Sequence, residues 1–116
     1  MEQNLHPVLS VRLFTDEKCF GPGVAALLTL VKTCHSLRAA AMEMGMAYSK
    51  AWTILKNAEE QLGFKLLLST TGGKHGGGAA LTPEGQALLS AYDQFCAELR
   101  EYGDKLFAEK FGEFLN

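Results

Sequence analysis

Hydrophobic residues recur along the chain mainly at helical spacing, so the sequence predicts a mostly helical protein. Apolar positions 24, 27, 28 and 31 fall on one face and predict a first helix over residues 24–34. A second helix is expected over residues 37–44, because Ser36 is a favourable N-cap, the alanines that follow favour helix, and Gly45 stops it. A third helix is predicted over residues 48–62 and ends at Gly63.

The third predicted helix is amphipathic. Its apolar face contains Ala51, Ile54, Leu55, Ala58 and Leu62. Its polar face contains Ser49, Lys50, Thr53, Lys56, Asn57 and Glu60. Two short helices joined at Gly45, the second with a polar outer face, indicate a helix-turn-helix, because Ala41 lets the helices cross closely and glycine takes the sharp turn.

The remaining pattern predicts one strand near the N-terminus and one hairpin. Residues 8–14 are rich in β-branched and apolar side chains and alternate partly with a period of two, which predicts a strand. Residues 64–68 and 79–81 predict a hairpin around the glycine-rich segment 69–78, for which a disordered loop is the alternative. The order helix, helix, helix, strand, glycine-rich loop, strand is that of a winged helix. In that fold the second helix of the motif enters the major groove of DNA, which is about 12 Å wide.

The last predicted helix begins at Thr82, Pro83 and Glu84, which supply a cap, a proline at the first helical position and an acid in the first turn. Its apolar residues alternate in spacing between four and three, as in a coiled-coil seam. They are Leu88, Tyr92, Phe95, Leu99, Tyr102 and Leu106. A helix of about 25 residues on so small a domain favours pairing with a second copy. The alternatives are that the seam packs back on the strand and the first helix, or that Gly103 ends the helix early.

Length and composition indicate one domain of ordinary globular proportions. The chain has 116 residues, of which 47% are hydrophobic and 21% charged, and its net charge is -2. The predicted class is mainly α with a small β hairpin, a winged helix-turn-helix with a long C-terminal dimerisation helix. Within the single domain 1–116 we expect an N-terminal strand region (1–19), a winged helix (20–81, with the wing at 69–79) and the dimerisation helix (82–116).

Charge is distributed unevenly along the chain. Residues 32–75 carry six basic and three acidic side chains, whereas residues 76–116 carry three basic and seven acidic ones. This asymmetry favours an anionic partner for the middle segment.

The sequence shows no group of residues suited to catalysis, a metal or a cofactor, so we expect a protein that is not an enzyme. Gly73-Lys74 lacks the serine or threonine that follows lysine in a phosphate-binding loop, and the glycine spacing is also wrong. The three histidines lie in separate segments, and the three cysteines form no Cys-x-x-Cys pair. The longest apolar run, residues 24–31, is too short to cross a membrane, and no basic, apolar leader opens the chain. We therefore expect a cytoplasmic protein.

Four segments of the chain carry a family resemblance. They are 35–41 (HSLRAAA), 45–52 (GMAYSKAW), 71–79 (TGGKHGGGA) and 81–85 (LTPEG). Together they resemble the DNA-binding domain of ModE-type, molybdate-responsive transcriptional regulators, and the wing segment is the most specific part. LysR-type regulators have a similar helix-turn-helix and a similar start to the linker helix. The molybdate-binding C-terminal domain of the ModE type has no counterpart in these residues, so we expect no molybdate binding.

The resemblance implies a dimeric winged-helix repressor or activator that binds duplex DNA. We also expect it to associate with the bacterial nucleoid and to need no cofactor. The resemblance also implies that helix three lies near bases or phosphates, that the wing lies on the backbone and that the long helix forms the dimer interface. Basic side chains are expected on phosphates, and Tyr48, Ser49 and Thr53 on base edges or in the groove. The candidate DNA-binding residues are Ser36, Arg38, Tyr48, Ser49, Lys50, Thr53, Lys56, Thr71, Lys74 and His75.

Two further expectations accompany this set. Trp52 adjoins the buried face of helix three, and we expect it in the core or between helices rather than stacked on DNA. The main alternative to DNA binding is a winged helix that serves as a protein-protein interaction or dimerisation adaptor, which the net charge of -2 favours.

Overall fold

In the part of the chain that the structure describes, four helices and two small antiparallel hairpins form the fold, and the predicted winged helix-turn-helix is confirmed. The computed structural model describes residues 4–70 and 78–115. The helices are α1 (Pro22–Cys34), α2 (Leu37–Glu43), α3 (Tyr48–Leu62) and α4 (Pro83–Phe111), and a short 3-10 turn, Gly112–Phe114, follows α4. The strands are β1 (Leu13–Phe14), β2 (Lys18–Phe20), β3 (Leu67–Thr70) and β4 (Gly78–Leu81).

Local signals set the helix boundaries. The Ser36 hydroxyl accepts a hydrogen bond from the Ala39 amide at 3.1 Å, as expected of an N-cap. Gly45 and Gly63 follow α2 and α3 with φ of 69° and 84°, a left-handed backbone that glycine adopts without steric cost. The first helix begins two residues before its predicted start, at Pro22, because proline suits the first helical position.

The predicted N-terminal strand over residues 8–14 is largely wrong. Only Leu13 and Phe14 are in a strand, and they pair with Lys18–Phe20 in a short antiparallel hairpin. Residues 8–12 lack strand structure because β2, with three residues, is too short to supply backbone partners for them. Val8 is accordingly 83% exposed.

The second hairpin begins three residues later than predicted. Leu67 pairs with Leu81 and Thr70 with Gly78. Leu66, just before β3, is fully buried, and its amide donates to the Glu59 carboxylate instead of to a strand. The chain therefore passes through the core before it pairs with β4.

The core is centred on α1. Leu27, Leu28 and Val31 are fully buried, and α1 packs against α2, α3, α4 and β4. Small residues face it from the helix-turn-helix, where Ala40 and Ala51 are also fully buried. The small side chains let three helices approach one another closely and bring α2 and α3 into a fixed relation to the hairpin.

The base of α4 is attached to the core by side-chain hydrogen bonds. The Thr82 hydroxyl accepts from the Gly85 amide at 2.8 Å and donates to the Lys65 carbonyl at 2.6 Å. Tyr92 packs edge-on against Phe20, with ring centroids 5.0 Å apart, and donates to the Val11 carbonyl at 2.7 Å. Burial raises the pKa of Tyr92, and its contact with Cys96 adds to the shift.

The apolar seam of α4 divides into two parts. Tyr92 is 6% exposed and Leu88 packs against the core, so both side chains are covered within the protomer, although the sequence groups them with the predicted dimer seam. Further along, the helix continues through Gly103 to Phe111, and its 29 residues exceed the expected length. The distal seam is exposed and contains Phe95, Leu99, Tyr102 and Leu106.

Candidate nucleic-acid interface

The helix-turn-helix is held by a tight turn between α2 and α3. The Met46 amide donates to the Ala41 carbonyl at 3.0 Å, across the turn that contains Gly45. Ala41 is buried at this crossing, so the two helices meet without a large side chain between them. The turn presents the N-terminal half of α3 to solvent.

The outer face of α3 is polar at its N-terminal end. Ser49, Lys50 and Thr53 are all exposed. The Thr53 hydroxyl donates to the Ser49 carbonyl at 2.9 Å, which leaves its oxygen lone pairs able to accept a hydrogen bond from a partner.

Arg38 on α2 extends toward the start of α3. Its guanidinium carbon lies 4.3 Å from the centroid of the Tyr48 ring, a cation–π contact. Both side chains are exposed, so the pair presents a positive charge and an aromatic ring beside the polar face of α3.

A cleft of about 420 Å³ separates α3 from the second hairpin. We name it the α3–hairpin cleft. Its walls include Arg38, Tyr48, Trp52, Lys56, Glu59 and the hairpin residues Leu67, Leu68, Ser69, Gly78 and Ala79. Cationic and aromatic side chains, together with Glu59, line the helical wall, and residues of both hairpin strands line the opposite wall.

The expectation that Trp52 lies in the core is wrong. Trp52 is 48% exposed, and the Lys56 ammonium lies 5.4 Å from the centroid of its ring. Helix geometry explains the difference, because Trp52 follows the fully buried Ala51 by about 100° around α3 and so lies beside the buried face and not within it. Trp52 lies instead on the flank of α3 that faces the hairpin.

Glu59 is a functional candidate that sequence reasoning did not identify. It is a buried acid, and its Oε2 accepts from the Leu66 amide at 2.7 Å and from the Leu67 amide at 3.3 Å. Its Oε1 lies 3.5 Å from the Lys56 ammonium. No sequence pattern signals this role, since the partners on the hairpin are backbone amides.

The predicted set of site residues is only partly brought together. Arg38, Tyr48 and Lys56 line the α3–hairpin cleft, with Ser36 at its edge, where its hydroxyl already caps α2. Ser49, Lys50 and Thr53 lie on the adjoining outer face of α3. The predicted wing residues Thr71, Lys74 and His75 lie outside the described residues and stay predictions.

Other chemistry is sparse in the described part of the chain. Within residues 4–70 and 78–115, no group of three His, Cys, Asp or Glu side chains is arranged to hold a metal ion. The cysteines are free thiols. None of the helices described has the length and hydropathy that a membrane crossing needs.

A family model gives the class of protein. The model of bacterial regulatory helix-turn-helix proteins of the lysR family matches residues 24–86. This span runs from α1 through the helix-turn-helix and the second hairpin to the start of α4, and it covers more than half of the chain. The chain therefore belongs to the lysR family of bacterial regulatory helix-turn-helix proteins, a class of DNA-binding transcriptional regulators.

Individual relatives are consistent with the more specific resemblance to ModE-type regulators. The molybdenum-pterin-binding protein MopB of Rhodobacter capsulatus is 40% identical over 67 residues, which is 58% of this chain and 25% of that protein. The DNA-binding transcriptional dual regulator ModE of Escherichia coli K12 is 34% identical over 85 residues, 73% of this chain and 30% of the relative. The transcriptional regulator ModE of Haemophilus influenzae is 38% identical over the same length, 73% of this chain and 31% of the relative.

These matches confirm the resemblance to the DNA-binding domain of ModE-type regulators. The chain spans about a quarter to a third of the length of these relatives.

Proposed function

We propose that this chain binds duplex DNA as a homodimer, with α3 in the major groove and the second hairpin against the neighbouring backbone, and so regulates transcription at the sites it occupies. The observation that supports this most directly is the arrangement of Arg38, Lys50 and Lys56. These three basic side chains lie on or beside the exposed face of α3, whose opposite face is buried. A helix exposed along one face, with cations at its edges, suits a groove lined by phosphates.

The chemistry of this face divides into two parts. The basic side chains neutralise phosphates, which positions the protein on the duplex without reading its sequence. Ser49 and Thr53 carry short hydroxyl groups between the basic positions, so they are suited to donors and acceptors on base edges. Tyr48 and Trp52 supply aromatic surface at the side of the cleft.

Binding experiments test the proposal and its alternative. Genomic fragments retained by the protein give a preferred duplex, whose affinity is then measured at several salt concentrations. If each protomer neutralises about three or four phosphates, the dimer neutralises about six to eight. The logarithm of its association constant then falls by about five to seven per tenfold rise in salt. Absence of binding even at low salt would instead support the protein-protein adaptor.

Lys50→Ala is expected to weaken binding to the preferred duplex by about tenfold and to lower the salt slope by about one per protomer, because one phosphate contact is lost. The control is Lys110→Ala, which removes the same charge near the C-terminal end of α4. Fluorescence anisotropy across a salt series measures both quantities. An equal effect of the two substitutions would exclude a direct role for Lys50 at the interface.

The distal seam of α4 supports the homodimeric part of the proposal. Phe95, Leu99, Tyr102 and Leu106 are exposed along a helix that extends beyond its own core. A seam of this spacing is buried when two such helices pair. Pairing would also place two α3 helices on one duplex, which raises affinity through the second contact.

Leu106→Glu is expected to weaken self-association by about a hundredfold or more, because it replaces an apolar contact in each protomer with a charge. Ala108→Glu adds the same charge at an exposed position two residues away, on a different side of α4. Sedimentation equilibrium measures the dimerisation constant of each variant. A wild-type protein that stays monomeric at high concentration would contradict the dimer.

A further inference from the structure

Glu59 connects α3 to the base of the second hairpin. Its side chain is 10% exposed and lies at the wall of the α3–hairpin cleft. One carboxylate oxygen accepts both the Leu66 and the Leu67 amides, and the other lies 3.5 Å from the Lys56 ammonium. A single carboxylate thus contacts the hairpin backbone and a basic residue of the proposed interface.

An acid in this cleft has an electrostatic cost if the cleft receives DNA, because like charges repel in a partly desolvated site. The backbone contacts alone do not require a charge, since a neutral amide oxygen also accepts a hydrogen bond. The charge strengthens both backbone bonds and restrains Lys56, whose ammonium also lies over the Trp52 ring. The contacts therefore form a continuous series from hairpin to Glu59 to Lys56 to Trp52.

We propose that Glu59 is a positioning residue of the DNA interface, which fixes the second hairpin at a set distance from α3 and orients Lys56 in the cleft between them. This inference rests on the proposed DNA-binding function. Glu59 does not itself contact DNA in this arrangement. Its role is to hold α3 and the second hairpin at the distance and orientation that match the preferred duplex.

The proposal makes opposite predictions for affinity and for selectivity. Without the charge, Lys56 is released from Glu59 and becomes free to pair with any phosphate, so binding to unrelated DNA at low salt becomes tighter. The hairpin is held less firmly at the same time, so the preference for the selected duplex falls. A residue with a purely structural role would weaken binding to both duplexes alike.

The test compares Glu59→Gln with Glu60→Gln, since both remove one negative charge from the same turn of α3 and Glu60 is exposed. Affinity is measured for the selected genomic duplex and for a scrambled duplex of the same composition, over a salt series. We expect Glu60→Gln to tighten binding to both duplexes equally and to leave their affinity ratio unchanged. We expect Glu59→Gln to lower that ratio by about tenfold, the effect of losing a charge-assisted contact, and to steepen the salt slope.

Equal ratios in the two variants would overturn the positioning role. Hydrogen exchange of the wild-type protein is a second test, and it does not require any variant to fold. The Leu66 and Leu67 amides should exchange more slowly when the selected duplex is bound, and unchanged exchange would also overturn the proposal. Wild-type protein that binds neither duplex would refute DNA binding itself, which separates that outcome from failure of the role of Glu59.

Discussion

Trp52→Ala is expected to weaken binding to the selected duplex by about ten- to a hundredfold and to leave the fold intact. A tryptophan offers about 150–250 Å² of surface to burial, and roughly half of this side chain is still exposed in the protomer. Burying about 100 Å² of it against a sugar or base contributes about 2.5 kcal/mol. The loss should affect binding more than stability, because the exposed half makes few contacts within the protomer.

The matched control for this substitution is Phe14→Ala. Phe14 is also a largely exposed aromatic residue, but it lies on β1 and not on the α3–hairpin cleft. Equilibrium binding of both variants, together with their thermal melts, separates lost contacts from lost stability. The wild-type protein gives an independent signal, since Trp52 is its single tryptophan and its fluorescence should change when the duplex binds. Wild-type affinity in Trp52→Ala would place the indole outside the interface.

The helices could be predicted from the sequence because their signals are local. The Ser36 cap and the glycines after α2 and α3 act within a few residues of the chain, and the bounds of α3 agree with the prediction. The alternation of apolar and polar positions then fixed which side of α3 is buried. This was sufficient to predict the helix-turn-helix and the class of fold.

The burial of residues on the flank of α3 depends on contacts that are distant in sequence, and the prediction for this flank is wrong. A position beside the apolar face is buried or exposed according to which element packs against that flank of the helix, and Trp52 is 48% exposed on the flank that lines the α3–hairpin cleft. The local pattern therefore predicts Trp52 in the core or between helices, although it lies on the cleft. The sequence does not predict the role of Glu59 for a related reason, since its partners at the base of the hairpin are main-chain amides that no residue type reveals.

The seam of α4 shows the limit of periodicity. Its six apolar residues belong to one repeating pattern, but the Tyr92 hydroxyl is hydrogen-bonded to Val11 within the protomer whereas Tyr102 is 65% exposed. The pattern predicts that the whole seam is covered and does not say by what. Whether a seam residue is covered within its own protomer or stays exposed depends on how far along α4 the rest of the domain extends. That extent is a property of the folded chain.

Gly85→Ala is expected to destabilise the protein by about 1–3 kcal/mol, which lowers the melting temperature by about 4–12 °C. A Cβ at this position would lie 2.5 Å from the Leu66 carbonyl oxygen and 3.1 Å from the Thr82 hydroxyl. Neither neighbour can move freely, because that carbonyl accepts from the Thr82 amide and the hydroxyl caps α4. Overpacking costs about 1–3 kcal/mol and a weakened cap about 1 kcal/mol, against about 1 kcal/mol gained from helix propensity.

The control for this substitution is Gly23→Ala, a helical glycine at which an added Cβ meets no atom within 4 Å. It should be neutral or slightly stabilising, because only the propensity gain operates there. Thermal unfolding by circular dichroism must be compared at one protein concentration, since self-association would itself raise the melting temperature. Equal melting temperatures for the two variants would mean that the junction between α4 and Leu66 adapts to the added methyl group. Because Leu66 also donates to Glu59, a shift of its backbone should reduce DNA selectivity in Gly85→Ala as well, in the same direction as in Glu59→Gln.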